Sequence, residues 1–211
     1  MQVAAIIPVK TFSVAKSRLG LSQEKTVQLC KIMLEQVLES TSQSKIITKL
    51  ILVSKDEDAL HIGKRFGAVQ ISDGNEKGVN HAVSLADKYL VENGFDVSVV
   101  FPQDIPLVQP QDITNLLKFQ TAKTSLLVVP SRKFDGTNAL VRSPVNIIET
   151  HYDEDSYKIH LTTGKSRGVS TSFVLINRIM WDVDSRSDLE FIMSNVEKPV
   201  LRKQFQDILN E

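Results

Sequence analysis

The feature that most constrains the fold is a set of short runs, apolar at nearly every position, with helix-forming stretches between them. Residues 3–9 (Val-Ala-Ala-Ile-Ile-Pro-Val), 49–54 around Leu50-Ile51-Leu52-Val53, 97–101 and 125–129 all have this character. A strand with one wet face alternates apolar and polar residues. A strand buried on both faces does not. Such runs separated by helices predict an α/β chain with a mostly parallel sheet, covered on both sides.

The remaining elements follow from punctuation. Ser22-Gln23-Glu24 opens a helix to about residue 40. Helices are expected at 56–66, with Gly67 as the stop, at 80–92 before Asn93-Gly94, and at 111–119 after Pro110. A short strand fits 68–71. Beyond residue 130 the pattern loosens: strands are expected at 138–141 and 172–176, and helices at 156–161, 188–196 and 202–209. No Pro/Gly/Ser-rich linker interrupts the chain, so residues 1–211 are expected to form one domain.

A formal net charge of +0 gives no global field toward nucleic acid or a membrane surface, so any anion binding must come from local clusters. No apolar run reaches the roughly 20 residues a membrane helix needs. The N-terminus lacks a signal-peptide pattern, and the single cysteine, Cys30, cannot form an intrachain disulfide. The expected location is the cytoplasm. Cys30 falls at a core spacing with Val27, Met33, Leu34 and Val37. Phe173, Val174, Leu175 and Ile176 are available either to the core or to a partner subunit in a homodimer.

The first strand runs directly into Lys10, Lys16 and Arg18. Ligands of open α/β sheets sit outside the carboxyl ends of the strands. Three cations released there suit phosphate, because Lys and Arg bring several charged donors at once. Phe101-Pro102-Gln103-Asp104-Ile105-Pro106 puts a carboxylate at the same edge, where it either caps a turn or ligates Mg²⁺. Asp182-Val183-Asp184, if extended, points both carboxylates to one side. One of them, or Ser185, can instead cap the following helix. Asp135-Gly136-Thr137-Asn138 is a turn signal followed by a hydroxyl and an amide. Gly78-Val79-Asn80 is a glycine-then-asparagine helix entry whose amides can face a phosphate or a base.

Taken in order, these segments resemble the 2-phospho-L-lactate guanylyltransferases, the nucleotidyltransferases of coenzyme F-420 assembly. The Ile-Pro-Val-Lys strand end, the Ala-Lys-Ser-Arg-Leu loop, Gly78-x-Asn80-x-Ala82, Asp104-x-Pro106-Leu107, Gly136-Thr137-Asn138-Ala139-Leu140 and Asp182-x-Asp184 all match, over most of the chain. Two departures stand out. Asp135 replaces a family glycine. Tyr152-Asp153-Glu154-Asp155-Ser156, with His160 four residues on, carries Asp153 where the family has glycine, and an acid there could repel a substrate phosphate.

The resemblance implies a single-domain Rossmann-like, GT-A-like nucleotidyltransferase fold with a mostly parallel mixed sheet. It implies transfer of GMP from GTP to a small phosphorylated acid. Lys10, Lys16, Arg18 and Asp104 would be catalytic, with Lys16, Arg18, Gly78 and Asn80 on the nucleotide. Thr137, Asn138 and Ser156 would bind the acceptor, and Asp104, Asp182 and Asp184 would hold Mg²⁺. The attacking acceptor phosphate is largely dianionic near neutral pH, its second pKa being about 6, so no general base is required. Phosphoenolpyruvate, a molybdopterin or a sugar phosphate are alternative acceptors. A glycosyltransferase would release a nucleoside diphosphate, and a non-catalytic nucleotide-binding protein would release nothing.

Overall fold

The computed structural model describes residues 1–153 and 155–210. The strands are β1 Val3–Val9, β2 Lys49–Ser54, β3 Val69–Ser72, β4 Val97–Val100, β5 Ser125–Pro130, β6 Thr137–Ser143 and β7 Ser170–Phe173. The helices are α1 Gln23–Gln43, α2 Glu57–Arg65, α3 Val79–Glu92, α4 Pro110–Lys118, α5 Ser156–Ser166, α6 Asn177–Met180, α7 Arg186–Asn195 and α8 Pro199–Asn210.

One seven-stranded sheet runs in the order β3-β2-β1-β4-β6-β5-β7. β1 pairs parallel with β2 and β4, β2 with β3, and β5 with β7. β6 runs antiparallel to both neighbours. In β1, Ala5, Ile7 and Val9 enter the core beneath α1, while Ala4 and Ile6 enter the core shared with α3 and α5. Burial on both faces explains why these strands are apolar at nearly every position.

Local signals set the helix ends. Ser22 accepts from the Lys25 amide at 3.3 Å and Asp56 from the Ala59 amide at 3.1 Å, each meeting an orphan donor. Gly67 turns the chain after α2 at φ +75°. Gln109 and Asp112 cap α4 reciprocally, with Pro110 in its first turn.

The last third departs from the sequence expectation. The strand expected at 172–176 is at 170–173. This edge strand is polar (Ser170, Thr171, Ser172), and the apolar run leaves the sheet with Val174 buried and Phe173 and Leu175 exposed. β6 continues past residue 141 because Arg142, fully buried, forms a bidentate pair with Asp87 of α3 at 2.7 and 2.5 Å. The helix expected at 156–161 runs on to Ser166, and α6 follows directly after the expected strand, where no element was expected. Between β5 and β6 the register slips once: Val129 pairs with Ala139 but Pro130 with Thr137, a β-bulge at Asn138.

α5 sits close on the sheet because Gly164 has no side chain. A Cβ there would collide with Thr171 Oγ1 and come within 2.7 Å of Leu126 Cδ2. Gly164→Ala should therefore destabilise the fold by about 1–3 kcal/mol, the usual cost of overpacking. Urea unfolding checks this, and a midpoint equal to wild type would refute the close approach.

Candidate active site

The strand order reverses between β1 and β4. From β1 the chain travels outward through β2 and β3, then returns on the other side as β4. A cavity of about 470 Å³ opens over this point at the carboxyl edge, where α/β sheets bind ligands. Because β6 runs the opposite way, its first residues reach the same edge. The cavity is lined by Lys10, Lys16, Arg18, Gln103, Asp104, Thr137, Asn138, Asp153, Ser156, Asp182 and Asp184, among others.

The basic loop is pinned on both sides of its cations. Buried Phe12 and Leu19 anchor two 3₁₀ turns, Phe12–Val14 and Ser17–Leu19. The Thr11 amide and hydroxyl both donate to Glu76, at 2.7 and 2.9 Å, and the Phe12 amide donates to Asp56 at 2.9 Å. Lys16 itself has left-handed backbone (φ 59°, ψ 36°), an uncommon conformation for a residue with a Cβ. That turn aims its ammonium inward, against Asp104 and 2.5 Å from Asp184 Oδ1. Lys10 and Arg18 remain exposed at the cavity.

The acidic side comes from two segments. Asp104 follows β4, and its carbonyl accepts from the Val183 amide at 3.0 Å, joining it to the 182–184 segment. Ser185 and Asp188 form the capping box of α7, which leaves Asp184 facing the cavity. Asn138 Nδ2 donates to Asp182 Oδ1 and to the Ile179 carbonyl, each at 3.0 Å. Asp188 also accepts from Arg132 at 2.9 Å and Lys133 at 2.8 Å, fixing the 131–136 turn to α7. The Asp135 carboxylate accepts from Ser131 Oγ at 2.6 Å, so the acid in place of glycine serves the turn while lining the cavity.

On the opposite wall, Ser156 Oγ donates to Thr137 Oγ1 at 3.0 Å, and Thr137 Oγ1 also meets His160 Nδ1 at 3.0 Å. Gly78 and Asn80 stand apart from the main cavity. Gly78 lines a small adjoining hollow with Lys10, Asp73 and Glu76, and Asn80 Oδ1 accepts from the Tyr152 amide at 2.8 Å. Val79 between them reaches the cavity wall. The sequence reading missed Gln103 and the part played by His160. Gln103 directly precedes Asp104, which was the available signal. The pairs of Asp188 with Arg132 and Lys133, and the role of His160, arise only from contacts made in the fold.

Charge is tightly managed here. Burial opposes the Lys16 charge, but Asp104 and Asp184 outweigh it and hold the ammonium above the usual lysine range. Burial likewise opposes ionisation of Asp184, and Lys16 more than compensates, holding it below the usual carboxylate range. Asp182 has no such partner. Burial, with Asp104 next, pushes it up to about 6.

Among the described residues no group of three or more His, Cys, Asp or Glu side chains is placed to hold a metal ion. The donor set nevertheless suits Mg²⁺, which is commonly held by one or two carboxylates together with substrate phosphates and water. Asp104 Oδ1 is buried without a hydrogen-bond partner among the described residues, and Asp182 is raised by burial and then by the neighbouring Asp104 charge; a cation there would satisfy the first and offset the second.

The sequence profile of the family described as guanylyl transferase CofC like matches residues 3–206. This chain belongs to that family. The family is one of nucleotidyltransferases, so the chain is placed among enzymes. Its relatives include a phosphoenolpyruvate guanylyltransferase of Conexibacter woesei, 28% identical over 90% of this chain and 86% of its own. A 2-phospho-L-lactate guanylyltransferase of Methanothermobacter thermautotrophicus is 29% identical over 93% of this chain and 86% of its own. A solved structure from Desulfovibrio desulfuricans G20, provisionally assigned to the nucleotide-diphospho-sugar transferases, shares the fold. It has a TM-score of 0.75 at 16% identity and covers 100% of this chain and 95% of its own.

A carboxyl whose folded pKa lies above its unfolded value binds its proton more tightly in the fold. The resulting stability is present below the unfolded value, 3.8 for Asp182, and is lost as pH rises through about 6. Asp182→Asn, neutral throughout, should therefore melt above wild type at pH 7 without Mg²⁺, the gap closing by about pH 4. A gap independent of pH in calorimetry would contradict this.

Proposed function

We propose that this chain transfers GMP from GTP to the phosphate of a small phosphorylated acid, 2-phospho-L-lactate, in coenzyme F-420 assembly. Phosphoenolpyruvate is the competing acceptor. The observation that carries the reading is one cavity, in a guanylyl transferase chain, with a cationic and acidic wall facing a wall of buried hydroxyls. An oxygen of the acceptor phosphate attacks the α-phosphorus of GTP. The bond to the bridging β-oxygen breaks, and pyrophosphate leaves with that electron pair. No proton need be removed from the nucleophile, so positioning and charge neutralisation carry the catalysis.

Lys16 and Arg18 hold the GTP phosphates, with Lys10 at the α-phosphate. Gly78 serves the nucleotide from the adjoining hollow, and Asn80 from the segment it ties to Tyr152. Thr137 and Ser156 bind the acceptor phosphate, and Asn138 orients Asp182. Asp104, Asp182 and Asp184 would hold Mg²⁺, whose chemistry there is neutralisation of phosphate charge. On this reading the Lys16 ammonium turns from the carboxylates to the phosphates when substrate enters. The lone buried thiol of Cys30 suits a reducing cytoplasm, and exposed Phe173 and Leu175 offer apolar surface to a second copy.

The test supplies Mg²⁺, each of the four nucleoside triphosphates and a panel of phosphorylated acids, and identifies products by mass. Guanylated 2-phospho-L-lactate with pyrophosphate is expected. A guanylated sugar phosphate or pterin, with neither acid used, would move the acceptor assignment elsewhere. Release of a nucleoside diphosphate would indicate a glycosyltransferase. Lys16→Ala and Arg18→Ala should each lower kcat/KM for GTP at least about tenfold, because charged donors on phosphate exceed an exposed pair in worth. The exposed control Lys88→Ala should match wild type.

Asp153 supplies a prediction about the acceptor. It is exposed and lines the cavity beside Ser156, so its charge faces the incoming phosphate. Asp153→Gly should lower acceptor KM by about two- to fivefold, as befits a solvent-screened charge, and leave GTP KM unchanged. An unchanged acceptor KM would remove Asp153 from the site.

A further inference from the structure

His160 is fully buried in α5, behind the cavity wall. Its Nε2 accepts from the His151 backbone amide at 3.0 Å, so Nε2 cannot carry the ring hydrogen. Burial pushes its pKa down to about 3, with His151 and Arg142 adding to the effect, so the ring is neutral. A neutral ring accepting at Nε2 must carry its hydrogen on Nδ1, and Nδ1 faces Thr137 Oγ1 at 3.0 Å. Thr137 Oγ1 thus accepts from His160 on one lone pair. It accepts from the Ser156 hydroxyl on the other, also at 3.0 Å. Both acceptor positions are filled, and the Thr137 hydroxyl hydrogen is left over beside the cavity that Thr137 lines.

We infer that His160 is a positioning residue that turns the Thr137 hydroxyl into an obligate donor, committing this wall of the cavity to an anionic oxygen of the acceptor. The inference rests on the acceptor reading above. A free threonine hydroxyl both donates and accepts and would tolerate an alcohol or amide donor equally well. With its lone pairs occupied it discriminates, since a donor group opposite it would find no partner. Tyr152 packs edge-on against the imidazole, ring centroids 5.2 Å apart, and helps hold its plane. His160 touches no substrate itself; its effect passes through one hydrogen bond.

Two measurements test this. In the nucleotide-free protein, ¹⁵N spectra of labelled histidine should show His160 protonated at Nδ1 across the neutral range; protonation at Nε2 would overturn the inference without touching the acceptor reading. Kinetics supply the second, with phosphoenolpyruvate and 2-phospho-L-lactate as probes. His160→Phe should raise acceptor KM about tenfold or more while GTP KM stays within about twofold, the signature of one lost ground-state contact.

His160→Asn, whose amide can donate from near the Nδ1 position, should restore acceptor KM to within about threefold of wild type, and His160→Gln should not. If His160→Phe does not fold, the Asn and Gln pair carries the comparison. Adding His160→Phe to Thr137→Val should raise acceptor KM no further than Thr137→Val alone. Additive effects, equal loss in the Asn and Gln variants, or parallel rises in both KM values would overturn the inference. A normal acceptor KM in Thr137→Val would instead sink the acceptor reading on which it rests.

Discussion

The carboxyl edge of the sheet is organised around the cost of bringing carboxylates together in a partly dry place. Asp104, Asp182 and Asp184 share one cavity, and Lys16 is the cation folded in among them. A buried ion pair adds little net stability, because desolvation consumes most of its attraction. Its value here is positional. Lys16 lies 88 residues from Asp104 and 168 from Asp184, and its ammonium fixes all three segments relative to one another. Removing the cation would leave like charges facing each other, so the left-handed backbone at Lys16 is maintained against a larger penalty.

The sheet converts that local balance into a site for two substrates. Its parallel half, β3-β2-β1-β4, delivers cations and Asp104 at strand carboxyl ends. The other half meets it along the antiparallel β4–β6 pair and delivers Thr137, Asn138 and the segments they hold. Arg142 and Asp87 form a second buried pair, tying β6 to α3 across this junction. Burial pushes the Asp87 carboxyl up, and Arg142 pulls it back toward ionisation. Asp188, itself buried, does comparable work, joining the 131–136 turn to α7. Burial opposes its ionisation, but Lys133 and Ser185 prevail and bring its pKa down to about 2.

Much of the parallel half was legible in the sequence because burial on both faces leaves uninterrupted apolar runs, and because Ser22, Asp56, Gly67 and Pro110 mark helix ends chemically. The site residues were legible by type and place: a cation or carboxylate directly after such a strand has few places to go but the carboxyl edge. The later elements were less so. An edge strand needs no apolar run, so β7 was displaced onto the one that follows it. Arg142 reads as a strand end unless Asp87 is known to await it. The pairing of Lys16 with Asp104 and Asp184, and the chain from His160 through Thr137, depend on contacts between distant segments, and no local pattern encodes them.

The β-bulge at Asn138 has a consequence for which substrate each wall meets. Side chains along a strand alternate, and Ala139 and Val141 face the core beneath α1 while Leu140 faces the α3 and α5 side. Counting back by twos from Val141 would place Thr137 with Ala139, away from His160 and Ser156. The one extra residue opposite Pro130 inverts that parity, so Thr137 joins the face of Leu140 and meets α5. Asn138, occupying the bulge itself, is freed to reach Asp182 and the Ile179 carbonyl. A single inserted position thus sorts two adjacent side chains, one toward the hydroxyl wall and the other toward the acidic one. The division of the cavity between its two substrates is written into the phase of one strand.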